Sequence, residues 1–231
     1  MIFMPHTNAL RSTLRRLAAA ALFTAGLLAA GCIEFEQIMV IRGDGGGAIT
    51  LHYTVDEQLL AAQADAQRAV EAAQTGAKVT SPLEQLNWIF NEEKARAWFS
   101  DDGIRVQRYV TGTRNGNRSV TVDCTVESFP KALATGKFGA LTLVKTENGP
   151  FRLHADLPQG APVTDPARIE RLKALTKGMK LQFIVQAPGR ILTAPGAETA
   201  GRTVRWTFDP AKDDSCLKNP PAIDLTYDEK P

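Results

Sequence analysis

Alternating apolar runs closed by glycine-bearing turns constrain this chain more than any other feature. In "IEFEQIMVIR", Phe35, Met39 and Ile41 fall on one side while Glu36, Val40 and Arg42 fall on the other. That period of two places successive side chains on opposite faces of a strand. "AITLHYTV" repeats the pattern with Ile49, Leu51, Tyr53 and Val55. Between the two runs lies "GDGGG", which is either a phosphate cradle or a turn. A cradle needs a helix after the glycines and a Lys facing the anion. Here a strand pattern follows and no GK[ST] occurs. Asp44 also lacks the companion carboxylates of a calcium loop. The segment reads as the turn of a β-hairpin.

The same grammar recurs downstream. "IRVQRYVTG" and "RSVTVDCTVES" flank Asn115-Gly116, and "ALTLVKTE" and "FRLHADL" flank Asn148-Gly149. Asn-Gly favours the φ > 0 residues of a tight hairpin, so at least four meander strands are expected. "MKLQFIVQAPG", a Pro195-Gly196 turn, "RTVRWTF" and "AIDLTY" close the chain in strands.

Helical spacing appears in three places. Asp56 caps the Ala-rich "EQLLAAQADAQRAVEAAQ", which ends near Gly76. "SPLE" opens a second helix, with Ser81 as cap, Pro82 in the first turn and Glu84 completing a capping box. Leu83, Leu86, Ile89, Phe90, Ala97 and Trp98 form its stripe. These two helices make a helical-hairpin insertion at about 56–99. A third, "DPARIERLKALTKG", has Asp165 as cap, Pro166 at its start, Ile169, Leu172 and Leu175 directed inward, and Gly178 as its stop. "FPKALATGKFG" is a short helical turn or loop. The expected fold is α+β: an antiparallel sheet of about seven to nine strands carrying two or three helices, in a single domain over 32–231.

The N-terminus is separable from that domain. Arg11, Arg15 and Arg16 precede "LAAAALFTAGLLAA", a stretch with the length of a signal-peptide core and too short to cross a bilayer. "LLAAGC" resembles a bacterial lipobox, which implies that residues 1–31 are removed and that Cys32 is lipidated as the new N-terminus. Almost no spacer separates Cys32 from the first strand, so the lipid holds the folded body against the membrane. Ile33 stands where an inner-membrane retention Asp would sit, which favours the periplasmic face of the outer membrane in a cell that has one. Removing residues 1–31 takes away three cations and no anions, turning the formal net charge of +2 into −1. Such a surface lacks the clustered cations that nucleic-acid binding requires.

"CIEFEQIMVIRGDGGGAITLHYTV" and "KLQFIVQAPGRILTAPGAETAGRTVRWTF" resemble the opening hairpin and closing strands of the LppM-type bacterial lipoprotein domain family. The shared elements are a Cys running straight into a strand, an Asp-Gly turn, and a later strand, Pro-Gly, second turn and Val-x-Trp strand. Where the family usually carries Asn-Gly, this chain has Pro195-Gly196. The resemblance implies an envelope-anchored α+β domain that engages apolar or lipidic partners, with no active site to carry over.

The residues themselves offer little reactive chemistry. An exported compartment permits Cys124 and Cys216 to pair, but Cys124 shares the face of Val120, Val122 and Val126 while Cys216 sits in polar "DDSCLKNPP". A disulfide and two separate thiols both remain open. His52 and His154 are the only histidines after residue 31, in different strands, with His52 on the solvent side. His154 and Asp156 share a strand face as a surface pair. Ser81 and Ser128 stand at element ends where capping explains them, and Glu34/Glu36, Asp101/Asp102 and Asp213/Asp214 occur at edges and turns. No metal set, cofactor motif or catalytic constellation is recognisable.

Aromatic residues carry the functional hint. Trp88 and Trp98 fall on different sides of the second helix, so one buried stripe cannot absorb both together with Phe90 and Phe99. With Trp206 and Phe208, residues Trp88, Phe90 and Trp98 form the candidate lining of an apolar groove. The expected protein is non-catalytic and lipid-anchored, binding a lipid or another envelope protein. The alternatives are a scaffold that pairs through a sheet edge and, less favoured, a hydrolase with dispersed acids.

Overall fold

The computed structural model describes residues 33–61, 88–146, 149–155, 163–219 and 222–228. Cys32, the "SPLE" helix start, Asp156 and most of the Ala-rich stretch lie outside these residues. Strands β1 (Ile33–Ile41) and β2 (Gly47–Asp56) pair antiparallel in unbroken register, from Ile33 opposite Val55 to Ile41 opposite Gly47. The glycine-rich segment is their turn. Gly46 N–H donates to Asp44 Oδ1 at 2.9 Å and Arg42 N–H to Gly46 O at 2.8 Å. At Gly47 a Cβ would lie 1.9 Å from the Val40 carbonyl oxygen, so only glycine fits where the two strands leave the turn.

Strands β3 (Ile104–Arg114) and β4 (Asn117–Val126) close around Asn115 and Gly116, with φ of 53° and 76°. Both central residues are left-handed, as a type I′ hairpin requires. β5 (Leu141–Lys145) and β6 (Phe151–Ala155) pair antiparallel, from Leu141 opposite Ala155 to Lys145 opposite Phe151. Then follow β7 (Met179–Gln186), β8 (Ile191–Thr193), β9 (Glu198–Ala200), β10 (Thr203–Phe208) and β11 (Asp224–Tyr227).

These strands form a seven-stranded sheet, ordered β3-β4-β2-β1-β7-β10-β9, and a four-stranded sheet, ordered β5-β6-β11-β8. The fold is α+β. The larger sheet is mixed: β1 runs parallel to β7, with Ile33 beside Met179 and Phe35 beside Leu181. A local turn can join only antiparallel neighbours, so this parallel contact is a long-range addition to the hairpin grammar. The Pro195-Gly196 turn does not close a hairpin. It carries the chain from β8 in one sheet to β9 in the other.

The helices depart from their sequence pattern in instructive ways. Asp56 caps a helical start at residues 57–61, its Oδ1 accepting from Gln58 N–H at 2.7 Å. The second helix does not run through Phe90. Trp88–Phe90 is a short 3-10 turn, and Asn91 starts α1 (Glu92–Phe99) by accepting from Lys94 N–H at 3.0 Å. A short polar side chain that binds its own backbone interrupts a helix as readily as it begins one. Ala95 and Phe99 face inward, while Ala97 and Trp98 are exposed. α2 (Phe129–Ala134) follows Ser128, whose side chain makes no capping hydrogen bond. α3 (Pro166–Leu175) is capped by Asp165 and ends before Gly178 at φ 80°. Ile169 is buried and Leu172 half-buried, but Leu175 points outward, 40% exposed. α4 (Ser215–Lys218) is a single turn.

One face of the larger sheet is apolar: Met39, Ile49, Leu51, Val122, Val185, Val204 and Trp206 are almost fully buried. They pack in one cluster with Leu143, Leu153, Leu225 and Tyr227 of the smaller sheet and with Phe129 and Leu133 of α2. The other face is mixed, with Ile38, Val40 and Ile184 among polar residues. His52 lies there, as its alternation requires, between Thr121 (2.9 Å) and Thr54 (3.2 Å), and Thr50 and Arg108 both donate to Asp123.

Candidate functional site

The two sheets do not stay in contact along their whole length. Phe35 on β1, Tyr53 on β2, Phe183 on β7 and Phe208 on β10 continue the apolar face but are only half-buried. Their rings form a row across the strands, with centroids 4.7 Å apart for Phe35–Tyr53, 5.6 Å for Phe35–Phe183 and 6.2 Å for Phe183–Phe208. Below this row the sheets splay around a partly open cavity of about 180 Å³. Phe35, Leu51, Tyr53 and Phe183 make one wall; Phe138, Leu141, Ala155 and Ile223 make the other; residues 137–140 form the rim.

Three polar side chains line this cavity, Gln37, Lys137 and Tyr53, and the first two are engaged. Gln37 is 2% exposed and is the buried polar residue of the described chain; its Nε2 donates to Phe138 O at 3.3 Å. Lys137 at the rim donates to Asp101 Oδ2 at 2.8 Å and to Ser100 O at 3.1 Å. Its cation holds the Asp101 carboxyl below the usual carboxylate range. The rim is therefore neutralised and the interior apolar. Burial pushes the Tyr53 phenol up to about 12, so a neutral ring faces the cavity across the physiological range.

The five aromatic residues expected to line a groove do not converge. Trp98 lies tilted against Trp88 at 5.4 Å, Trp88 lies 5.7 Å from Phe99, and Phe99 stacks at 5.6 Å on Phe138. Trp88 and Trp98 thus back the cavity wall from behind. Phe90 lies under Arg118 (4.7 Å) and against the small cluster of Val55, Leu59 and Leu60. Trp206 is sealed in the core, its Nε1 donating to Pro195 O at 3.0 Å. Phe208 supports Phe183 from the side. The reading from sequence missed Phe35, Gln37, Tyr53, Phe138 and Phe183. Its available signal was Gln37, a polar residue interrupting an apolar stripe between Phe35 and Met39.

Both cysteines are free thiols, which corrects the pairing that the compartment permits. Cys124 is buried on the inner face of β4, and burial pushes its thiol up to about 12. Cys216 is on α4, its Sγ donating to Asp213 O at 3.3 Å. His154 stands opposite Asp224 on β11, with Nδ1 3.7 Å from Asp224 Oδ2, while Arg152 grips the same carboxylate at 2.9 and 2.5 Å. Arg152 holds that carboxyl below its ordinary range. This is an ion-pair cluster on a strand face. Among the described residues no three His, Cys, Asp or Glu side chains gather as a metal set, and no helix is long and apolar enough to cross a membrane.

A family model described as the LppM domain matches residues 45–216. Among solved structures, the chain is similar to the NMR structure of the folded domain of the LppM protein from Mycobacterium tuberculosis, at 12% identity and a TM-score of 0.43, with 86% of this chain and 91% of that chain covered. Comparison with curated proteins gives no match.

Proposed function

The chain belongs to the LppM domain family, a family of lipoprotein type, and on that premise we propose that it is a lipid-anchored envelope protein whose inter-sheet cavity takes one slim apolar group. An acyl-chain end fits that description. The protein acts by binding and not by catalysis, and the anchor is the acylated Cys32.

The observation that carries this reading is the half-open apolar cavity of about 180 Å³ with a neutralised rim. An apolar cavity of about 150 Å³ accommodates benzene, so this one suits a single chain end and not a whole multi-chain lipid. Position supports it too. Phe35 lies two residues into β1, so the cavity wall stands roughly 10 Å along the strand from Cys32. A cell with two membranes would carry the protein on the periplasmic face of the outer one. Pairing through a sheet edge has less support. The exposed edge strand β3 carries a bulge between Val106 and Arg108 and the cations Arg105, Arg108 and Arg114, devices that discourage a further strand.

Native mass spectrometry of protein purified from membranes tests the binding. A non-covalent lipid in addition to the covalent anchor is expected, and it is lost in Ala140→Trp, which fills the rim. Wild-type protein that never carries such a lipid refutes the cavity reading. Cys32→Ala should move the protein out of the membrane fraction; unchanged retention refutes the anchor.

A further inference from the structure

We propose that the protein docks on the bilayer through the end of the larger sheet where β1 and β7 begin, with Leu175 and the turn after α3 seated in the headgroup layer. This rests on the anchoring reading above and adds which surface meets the lipid.

Covalent geometry starts the argument. Cys32 is bonded directly to Ile33, the first residue of β1, and consecutive Cα atoms are about 3.8 Å apart. Anchoring at Cys32 leaves this strand end no freedom to leave the membrane surface. The parallel register then decides what accompanies it. Ile33 lies beside Met179, the first residue of β7, so the turn joining α3 to β7 sits next to the anchor. An antiparallel β7 would have put that turn at the far end of the sheet.

The turn has the chemistry of a membrane contact. Leu175 is 40% exposed although it is a large apolar residue. It is firmly held: Thr176 Oγ1 donates to Leu172 O at 2.8 Å, and Met179 N–H donates to Thr176 O at 2.9 Å. Lys177 and Lys180 follow it. Neither pairs with a carboxylate of the described residues, whereas nearby Lys173 and Lys218 are both taken by Asp214 at 3.0 and 2.6 Å. Arg114 ends β3 at the same level, since it faces Asn117, which faces Asp56. The carboxylates at this end include Glu34, beside Lys180 in register, Asp56 and Glu57, and Asp209, one residue past the Phe208–Leu181 pair; Asp56 is engaged by Gln58 N–H and Asp209 pairs with Lys212 at 3.5 Å. An exposed leucine followed by Lys177 and Lys180 suits an anionic phospholipid surface, where each cation near the surface is attracted. The other exposed large apolar residues of the described chain are Trp98 on α1, Val110 midway along β3, Val144 on β5 and Leu192 in β8, past the far end of β7.

The test uses the full-length lipidated protein in vesicles of phosphatidylglycerol and phosphatidylethanolamine, in a Cys216→Ser background. A fluorophore is attached at Leu175→Cys, Val110→Cys or Leu192→Cys. Buried Cys124, with its thiol pushed up to about 12, stays unlabelled. Lipids brominated on their acyl chains should quench the label at 175 and leave those at 110 and 192 bright. Quenching at 110 or 192 with none at 175 overturns the docking surface. If Leu175→Cys does not fold, Lys177→Cys reports on the same turn by the same criterion. Mass spectrometry of the N-terminal peptide separates the two ideas. An acylated, vesicle-bound protein with a bright label at 175 sinks the docking surface alone, whereas a peptide without acyl mass sinks the anchor.

Discussion

The two sheets meet in two different ways within a few residues. In the sealed half, Met39, Val185 and Val204 on one side and Leu153, Leu225 and Tyr227 on the other are at most 1% exposed. In the splayed half, Phe35, Tyr53 and Phe183 continue β1, β2 and β7 on the same face, yet they are half-buried around a cavity. Both halves obey the same alternation. The difference teaches that a period of two selects the face of a strand but says nothing about what covers that face.

Substitutions should separate the halves. Leu225→Ala, in the sealed half, is expected to cost about 2–5 kcal/mol in chemical denaturation, because removal of packed atoms leaves an unfilled hole. Alkaline titration comes next. Tyr53 loses its proton at about 12 in the folded chain instead of 10.0, so its contribution is complete below pH 10 and is lost as pH rises towards 12. A two-unit shift corresponds to roughly 3 kcal/mol. Tyr227 in the sealed half is also shifted up by burial, so Tyr53→Phe should remove only part of the alkaline loss. A variant with an unchanged alkaline profile would mean that Tyr53 is solvated in the folded protein.

Phe183→Leu tests the splayed half itself. A modest reduction in side-chain size beside existing space should cost about 1–2 kcal/mol, less than a deletion in the sealed half, while reducing the amount of co-purified lipid. A loss as large as that of Leu225→Ala would erase the distinction between the halves. The smallest effect is expected at Gln37→Leu. Its 3.3 Å hydrogen bond to Phe138 O is long, so the lost bond and the gained apolar surface should leave stability within about 1 kcal/mol. Retention of an apolar ligand should rise.

Much of the local structure was legible in advance, and particular residues explain why. Asn115-Gly116 and "RGDGGG" specify their turns by backbone chemistry alone, and Asp56 and Asp165 specify helix starts through side-chain acceptors. The second helix breaks its stripe because Asn91, inside the apolar spacing, caps a new helix with its own side chain. Leu175 was placed inward because spacing on a helix marks a stripe, whereas only the neighbouring elements decide whether the stripe's last residue is covered. The candidate site was hardly legible. Trp88, Phe90, Trp98, Trp206 and Phe208 are large aromatics, but they belong to four separate packing environments.

By itself, the sequence determined the hairpins, the alternation that gives the larger sheet its apolar inner face, and the Cys that runs directly into the first strand. These follow from interactions among residues close in the chain, where turn geometry and capping act without help. Only the tertiary structure decided that β7 lies parallel to β1, that the second sheet covers half of an apolar face, and that Phe35, Tyr53 and Phe183 border a cavity with Leu175 beside the chain's start. Those outcomes depend on contacts between residues more than a hundred positions apart, which dense packing selects and no local pattern encodes.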